Sequence, residues 1–253
     1  MDRLAPVFIS DKAKAFDKDA VRRKFNCRQH ELTTPSKLLS HTSPNSKLSF
    51  SPCRRQHLYP PEYEGHFAFL LMDSTEIRAR VKELAKLIHE DYKGERPVLL
   101  CTLKGASPFY THLSDALQDH RQGYDMEFIR ASSYEGTESS GNVKLSGLKY
   151  ETLKNRPVLL IEDILDTGTT LAHLVPVLQE QSQPASVQVC TLLDKRLEEG
   201  AQKKYTAKYV GFSIPNHFII GYGLDYNELY RDLKDIFVIS QQGIDFDAKQ
   251  LHA

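Results

Sequence analysis

No run of apolar residues in this 253-residue chain approaches the roughly 18 needed to cross a bilayer. The first residues also lack the apolar core of a secretory signal, so membrane insertion and export are not expected. Cysteine is scarce. Cys27, Cys53, Cys101 and Cys190 form no C-x-x-C pair, no His/Cys zinc spacing appears, and the last two lie in apolar strand-like runs, which fits reduced thiols in a cytoplasmic protein. The sequence contains neither the G-x-x-x-x-G-K-[ST] of a Walker loop nor the GxGxxG of a dinucleotide fold, which argues against an ATPase and a dehydrogenase. It has no internal repeat, and its final Leu-His-Ala is not the S-K-L peroxisomal address. Net charge is zero, but unevenly distributed: residues 1–56 carry 12 Lys/Arg against 5 Asp/Glu. Asp2, Asp11, Asp17 and Asp19 spoil the acid-poor pattern of a transit peptide, and binding of nucleic acid by this basic segment ranks below a solvated extension.

The chain is 40% hydrophobic, enough for a real core. Residues 33–52, rich in Ser, Thr, Pro and Lys, read as a linker, and Ala13–Gln29 as a weakly patterned basic helix. The organisation expected is a basic, flexible extension over 1–56, one folded domain over 57–245, and a short tail over 246–253. Within the domain, Asp73–His89 is the clearest helix, with Ile77, Val81, Leu84 and Ile88 on one stripe and Asp73 and Glu76 spaced as a capping box. Apolar runs follow at Val98–Leu103, Met126–Ile129, Val158–Ile161, Val187–Leu193, Tyr209–Ile214, Phe218–Tyr222 and Ile236–Ile239, several separated by helix-length segments. That alternation predicts an α/β fold with a mainly parallel sheet flanked by helices. Leu171, Leu174, Val175 and Leu178 mark another helix, in which Pro176 predicts a kink.

The densest chemical signal is Val158–Thr170, VLLIEDILDTGTT. In open α/β sheets ligands sit beyond the carboxyl ends of strands, where a loop turns into the next helix. Thr167, Gly168, Thr169 and Thr170 occupy that place, and their N–H groups, hydroxyls and helix dipole favour a monophosphate. Glu162 and Asp163, one step earlier, can accept hydrogen bonds from two adjacent sugar hydroxyls. The alternative for the same residues is a solvated strand end followed by a turn.

A strand, two acids and a D-T/S-G-x-T loop resemble the phosphoribosyltransferase family, and four further stretches resemble its hypoxanthine-guanine branch, together covering about His57 to Gln242. The resemblance implies the type I fold, with a small hood subdomain and a mobile lid loop. Leu103-Lys104-Gly105-Ala106 resembles the family's LKGG loop, which receives pyrophosphate and carries a non-proline cis peptide before the lysine; Ala106 stands where the family has a second glycine. Ser133 and Tyr134, within Ala131–Gly141, match the lid, with Ser132 departing from its K-S-Y pattern. Lys195, in Leu193-Asp194-Lys195-Arg196, matches the lysine that contacts the purine 6-oxo group; having donors only, it suits hypoxanthine or guanine and not adenine. Phe218–Glu228 matches the purine-binding segment, which implies that Phe218 stacks on the base, Ile219 offers backbone hydrogen bonds, Asp225 lies near the exocyclic group and a second metal, and Arg231 reaches pyrophosphate. The implied cofactor is Mg²⁺, held through Glu162, Asp163 and Asp225, and Asp166 is the implied general base.

The expected reaction is therefore phosphoribosyl transfer from 5-phosphoribosyl 1-pyrophosphate to a 6-oxopurine, in a homodimer or homotetramer. The alternatives are a xanthine-preferring or broad 6-oxopurine phosphoribosyltransferase, and a non-catalytic nucleotide sensor whose basic extension touches nucleic acid.

Overall fold

The computed structural model describes residues 4–10, 59–133, 143–198 and 200–246. The possible helix over 13–29, the linker over 33–52, Tyr134 and the rest of the lid to Gly141, and residues 247–253 of the tail lie outside the described residues. In chain order the elements are β1 (Val7–Phe8), β2 (Phe67–Met72), α1 (Ser74–Asp91), β3 (Val98–Thr102), α2 (Ser107–Asp119), β4 (Asp125–Ser133), β5 (Val143–Ser146), β6 (Pro157–Leu165), α3 (Thr169–Ser182), β7 (Ser186–Lys195), β8 (Tyr209–Ile214), β9 (Ile219–Ile220), β10 (Ile236–Ile239) and α4 (Gln241–Ile244).

One seven-stranded sheet, in the order β1-β8-β7-β6-β3-β4-β5, carries the fold. Every neighbouring pair in it is parallel except β4 with β5. Helices cover both faces, so the inner strands read as unbroken apolar runs and not as alternations. On β3 and β6, Leu99, Cys101, Leu159 and Ile161 turn to one core with Ile77 and Leu84 of α1 and Phe109 and Leu113 of α2. The intervening Val98, Leu100, Val158 and Leu160 turn to the other, against Leu171, Leu174 and Leu178 of α3. Cys101 and Cys190 are free thiols buried on inner strands.

A second, three-stranded antiparallel sheet, β2-β10-β9, forms the hood. Its small core gathers Tyr63, Phe67, Leu70, Tyr230, Leu233 and Phe237, with the rings of Phe67 and Phe237 stacked at 4.4 Å. Among the described residues no helix is long and apolar enough to cross a membrane.

Two details depart from the sequence reading. Val7–Phe8, within the expected extension, is a strand of the main sheet. The strand expected over 218–222 is only Ile219–Ile220, because the chain turns at once through Gly221 (φ 95°), Tyr222 (φ 53°) and Gly223 (φ 94°). Gly221 could not carry a side chain there, since a Cβ would lie 2.1 Å from the Asp235 carbonyl oxygen. As expected, Pro176 lies inside the third helix, where its missing N–H leaves the Ala172 carbonyl without its helical partner.

The capping box of α1 forms as expected. Asp73 accepts from the N–H groups of Thr75 (2.8 Å) and Glu76 (3.0 Å), while the Asp73 N–H donates to Glu76 Oε2 at 3.2 Å. Asp73→Ala should therefore lower the urea midpoint by an amount worth ~1 kcal/mol with an unchanged denaturant slope. An unchanged midpoint would show that the cap contributes nothing.

Candidate active site

Parallel pairing brings the carboxyl ends of β3, β6 and β7 to one edge of the sheet, and the chemical residues follow from those ends. Glu162 and Asp163 lie on the last part of β6, and Gly168 (φ 78°) caps the start of α3. A Cβ on Gly168 would fall 2.7 Å from the Tyr205 backbone nitrogen, so glycine is needed for both conformation and space. The loop is fastened from outside by the Lys204 N–H, which donates to the Thr167 carbonyl at 2.9 Å. The hydroxyls of Thr167 and Thr169 stand 3.0 Å apart; Thr167 and Thr170 are exposed, at the positive end of a 14-residue helix.

The two acids are set differently. The Thr102 hydroxyl lies between the Ile161 carbonyl and the Glu162 carboxyl group, hydrogen-bonded to each. Burial, reinforced by the neighbouring Asp163 charge, pushes the Glu162 carboxyl well above its ordinary range. Burial also raises Asp163; the N–H groups of Ile164 and of Asp163 itself and the Arg231 charge oppose the shift, and Asp225 adds to it.

Lys104 follows a cis peptide bond from Leu103, at the position the family resemblance indicates. Gly105 packs so closely on the acids that a Cβ would lie 1.7 Å from Asp163 Oδ2. Ala106, the departure from the family's second glycine, has φ −73° and is buried in the core, a conformation any residue adopts. Gly223 closes the arrangement, because a Cβ there would meet the Gly105 carbonyl oxygen at 2.1 Å. Three loops thus touch through bare backbone.

Charge is distributed over the same loops. Glu228 forms ion pairs with Lys104 and, at 3.1 Å, with Arg231, whose Nη2 also lies 2.8 Å from Asp225 Oδ1. Hydrogen bonds from Lys104 and Arg231 hold the Glu228 carboxyl below its usual range. Arg231 Nη1 donates to the Gly223 carbonyl at 2.8 Å, and its Nε is buried without a partner among the described residues. Asp225 Oδ2 accepts from the Glu228 N–H at 2.9 Å. At the other end of the site, Lys195 Nζ donates to Asp166 Oδ2 at 3.0 Å, joining the end of β7 to the loop after β6. The Lys195 side chain is largely buried and Asp166 half-exposed.

Phe218 is 53% exposed, with its ring edge-on to Tyr226 at 5.4 Å, and Ile219 is buried on β9 opposite Val238. Ser133 ends β4 opposite Val143, whereas its expected lid partner Tyr134 lies outside the described residues. Glu162 and Asp163 adjoin each other, but Asp225 is engaged by Arg231, and among the described residues no group of three His, Cys, Asp or Glu is gathered around a metal position. Sequence reasoning missed Thr102, Glu228 and Tyr205. Glu228 lay inside a quoted motif without a role, whereas Thr102 and Tyr205 carry no local signal.

A parallel sheet that brings two acids, a Thr-Gly-Thr-Thr turn at a helix N-terminus and a largely buried lysine to one edge fits an enzyme acting on a phosphorylated sugar and a nitrogenous base. The family model described as "Phosphoribosyl transferase domain" matches residues 71–227, and the chain belongs to the phosphoribosyltransferase family. Among its relatives is the hypoxanthine-guanine phosphoribosyltransferase of Streptococcus pneumoniae, 40% identical over 180 residues, which cover 71% of this chain and 97% of that protein. The Lactococcus lactis protein of the same name is 38% identical over 174 residues, 68% of this chain and 91% of the relative. In solved structures, hypoxanthine phosphoribosyltransferase of Trypanosoma cruzi in complex with the product IMP is similar, with a TM-score of 0.65, 42% identity, and coverage of 72% of this chain and 99% of that one.

A carboxyl group whose value is raised in the folded protein takes up a proton on folding. Its contribution to stability is complete below the ordinary value of 4.5 and is lost as pH rises through the higher folded value. Glu162→Gln, neutral at every pH, should match the unsubstituted protein in stability below about pH 4 and exceed it increasingly toward neutrality. Urea midpoints across pH test this; a constant offset would contradict it.

Proposed function

We propose that the chain is a purine-salvage glycosyltransferase. It moves the 5-phosphoribosyl group from 5-phosphoribosyl 1-pyrophosphate to N9 of hypoxanthine or guanine, giving IMP or GMP and pyrophosphate. The observation that carries this reading is the 3.0 Å contact between Lys195 and Asp166. It sets a donor-only cation, suited to a 6-oxo group, beside the phosphate loop, so that base and sugar phosphate meet at one point.

Glu162 and Asp163 take the ribose hydroxyls, and Thr167, Gly168, Thr169 and Thr170 take the 5-phosphate. Lys104, Gly105 and Arg231 take pyrophosphate; that Lys104 and Arg231 both reach one carboxylate, Glu228, supports their ability to share an anion. Phe218, exposed and aromatic, stacks on the base, Ile219 offers its backbone to the base edge, and Asp225 reads the exocyclic group. Ser133 and Tyr134 belong to the lid that excludes water.

Two neighbouring acids, both raised by burial and Glu162 further by the Asp163 charge, suit a hard divalent cation, which would relieve that repulsion. Glu162 and Asp163 would hold Mg²⁺, with Asp225 serving a second ion, and the bound metal would neutralise charge that builds on the leaving pyrophosphate. Asp166 accepts the proton from purine N7 as the new bond forms at N9. Lys195 donates to Asp166 Oδ2 in the structure and so orients that carboxylate at the loop entrance. Retention of Asp166, Lys104 and Lys195 favours an enzyme over a nucleotide sensor.

The protein works in the cytoplasm as a homodimer or homotetramer, with residues 1–56 mainly an extension and 57–245 the catalytic domain. A Trypanosoma cruzi relative with a TM-score of 0.65 and 40% identity has been studied for the role of its C-terminal region in oligomeric state and activity.

Pyrophosphate release should be rapid with hypoxanthine and guanine and absent with adenine. Preference for xanthine would identify the xanthine branch, and silence with every base would reject an enzyme. Asp166→Asn should lower turnover by at least ~10-fold while leaving the KM for the donor nearly unchanged; full turnover in that variant would remove Asp166 from the chemistry.

A further inference from the structure

Residues 4–10 have no part in the reaction as described, yet they are built into the sheet. In the parallel ladder of β1 with β8, Val7 stands opposite Phe212 and Phe8 opposite Ser213. The Ile9 N–H continues it, donating to the Ser213 carbonyl at 2.9 Å. Val7 and Phe8 are themselves exposed while Ile9 packs, partly buried, against the main core, so side-chain burial accounts for only part of the docking.

Two arginines hold the segment by its carbonyl oxygens. Arg80, on α1 and 4% exposed, donates from Nη2 to the Ala5 carbonyl at 2.6 Å and the Val210 carbonyl at 3.2 Å, and from Nε to the Gly211 carbonyl at 2.8 Å. Arg196 donates from Nη2 to the Ile9 carbonyl at 2.8 Å and from Nη1 to the Ser213 carbonyl at 2.9 Å. The buried guanidinium of Arg80 needs acceptors for its N–H groups, and Ala5 supplies one beside Val210, Gly211 and Glu83; the partly buried Arg196 finds one in the Ile9 carbonyl.

Position in the chain gives Arg196 its meaning. It directly follows Lys195, and its own N–H donates to the Ile214 carbonyl at 2.8 Å. Ile214 ends β8, and only Pro215, Asn216 and His217 separate it from Phe218. One side chain therefore ties together the segment leaving Lys195, the strand leading to Phe218, and β1. Glu162, Asp163 and Thr167–Thr170, on β6, α3 and the loop between them, receive none of these hydrogen bonds.

We propose that residues 4–10 are a latch that positions the base-reading half of the site, with Arg196 as the positioning residue through which it acts on Lys195 and Phe218. The inference rests on the functional reading above and adds to it a specific task for the N-terminal segment. Loosening the latch weakens recognition of the base and spares the donor.

Two substitutions in the full chain test it from opposite sides. Ile9→Pro removes the N–H that reaches Ser213 while keeping an extended backbone, and Arg196→Met removes the fork while keeping much of its length. With hypoxanthine varied at saturating donor, each should raise the KM for hypoxanthine roughly fivefold, the effect of losing about 1 kcal/mol of organisation. With donor varied at saturating hypoxanthine, the KM should stay within about twofold, below the fivefold effect of that same loss. Unmoved constants in both variants, with turnover intact in the unsubstituted chain, overturn the latch alone. Equal rises for base and donor, accompanied by a lower melting temperature, also overturn it, since the segment then serves stability only. No turnover in the unsubstituted chain overturns the functional reading and the latch with it.

Discussion

Strand β6 is paired on both sides and buried on both faces, and the position of every chemical group in the site depends on that burial. Val158, Leu159, Leu160 and Ile161 are fully enclosed between the two helical layers. A slip of one residue along β3 and β7 would carry Glu162 into the core place of Ile161, where an ionised carboxylate has no partner. The strand is thus fixed in register by its apolar half, and the acids that follow emerge where the sheet ends. Function begins at the first residue that cannot be buried without penalty.

From that point the site is assembled by close backbone approach. Gly105 leaves room for Asp163, Gly223 for the Gly105 carbonyl, and Gly168 for the Tyr205 backbone. Each contact joins segments far apart in sequence, so the strand ends and loops of the site share walls. Charges reinforce the same closeness, through Glu228 between Lys104 and Arg231 and through Asp166 beside Lys195. Groups already oriented by one another reduce the cost of ordering them when a ligand binds.

The parts that were legible in the sequence are those governed by local pattern. Continuous apolar runs announced the inner strands, the Asp73 and Glu76 spacing announced a cap that forms, and the residues around Gly168 announced a strand-to-helix turn. What stayed hidden depends on long-range pairing. Two residues at Val7–Phe8 are too short for any periodicity, and Arg80, which lies outside the apolar stripe named for its helix, is buried against backbone carbonyls of β8. Thr102 gave no sign that its hydroxyl would face Glu162, because only the parallel pairing of β3 with β6 brings them together. Ala106 departs from the family pattern but not from ordinary backbone conformation, so its meaning appeared only with the loop in place.

The central claim is that Lys195 and the phosphate loop together recognise a 6-oxopurine ribonucleotide. IMP and AMP share every phosphate and ribose contact and differ at position 6 of the base, where one has a carbonyl oxygen and the other an amino group. Calorimetric titration of the full chain with each nucleotide compares them directly. The account predicts that IMP binds at least ~10-fold more tightly than AMP, because the amino group offers no acceptor to a donor-only lysine. Equal affinity for the two, or tighter binding of AMP, would contradict it.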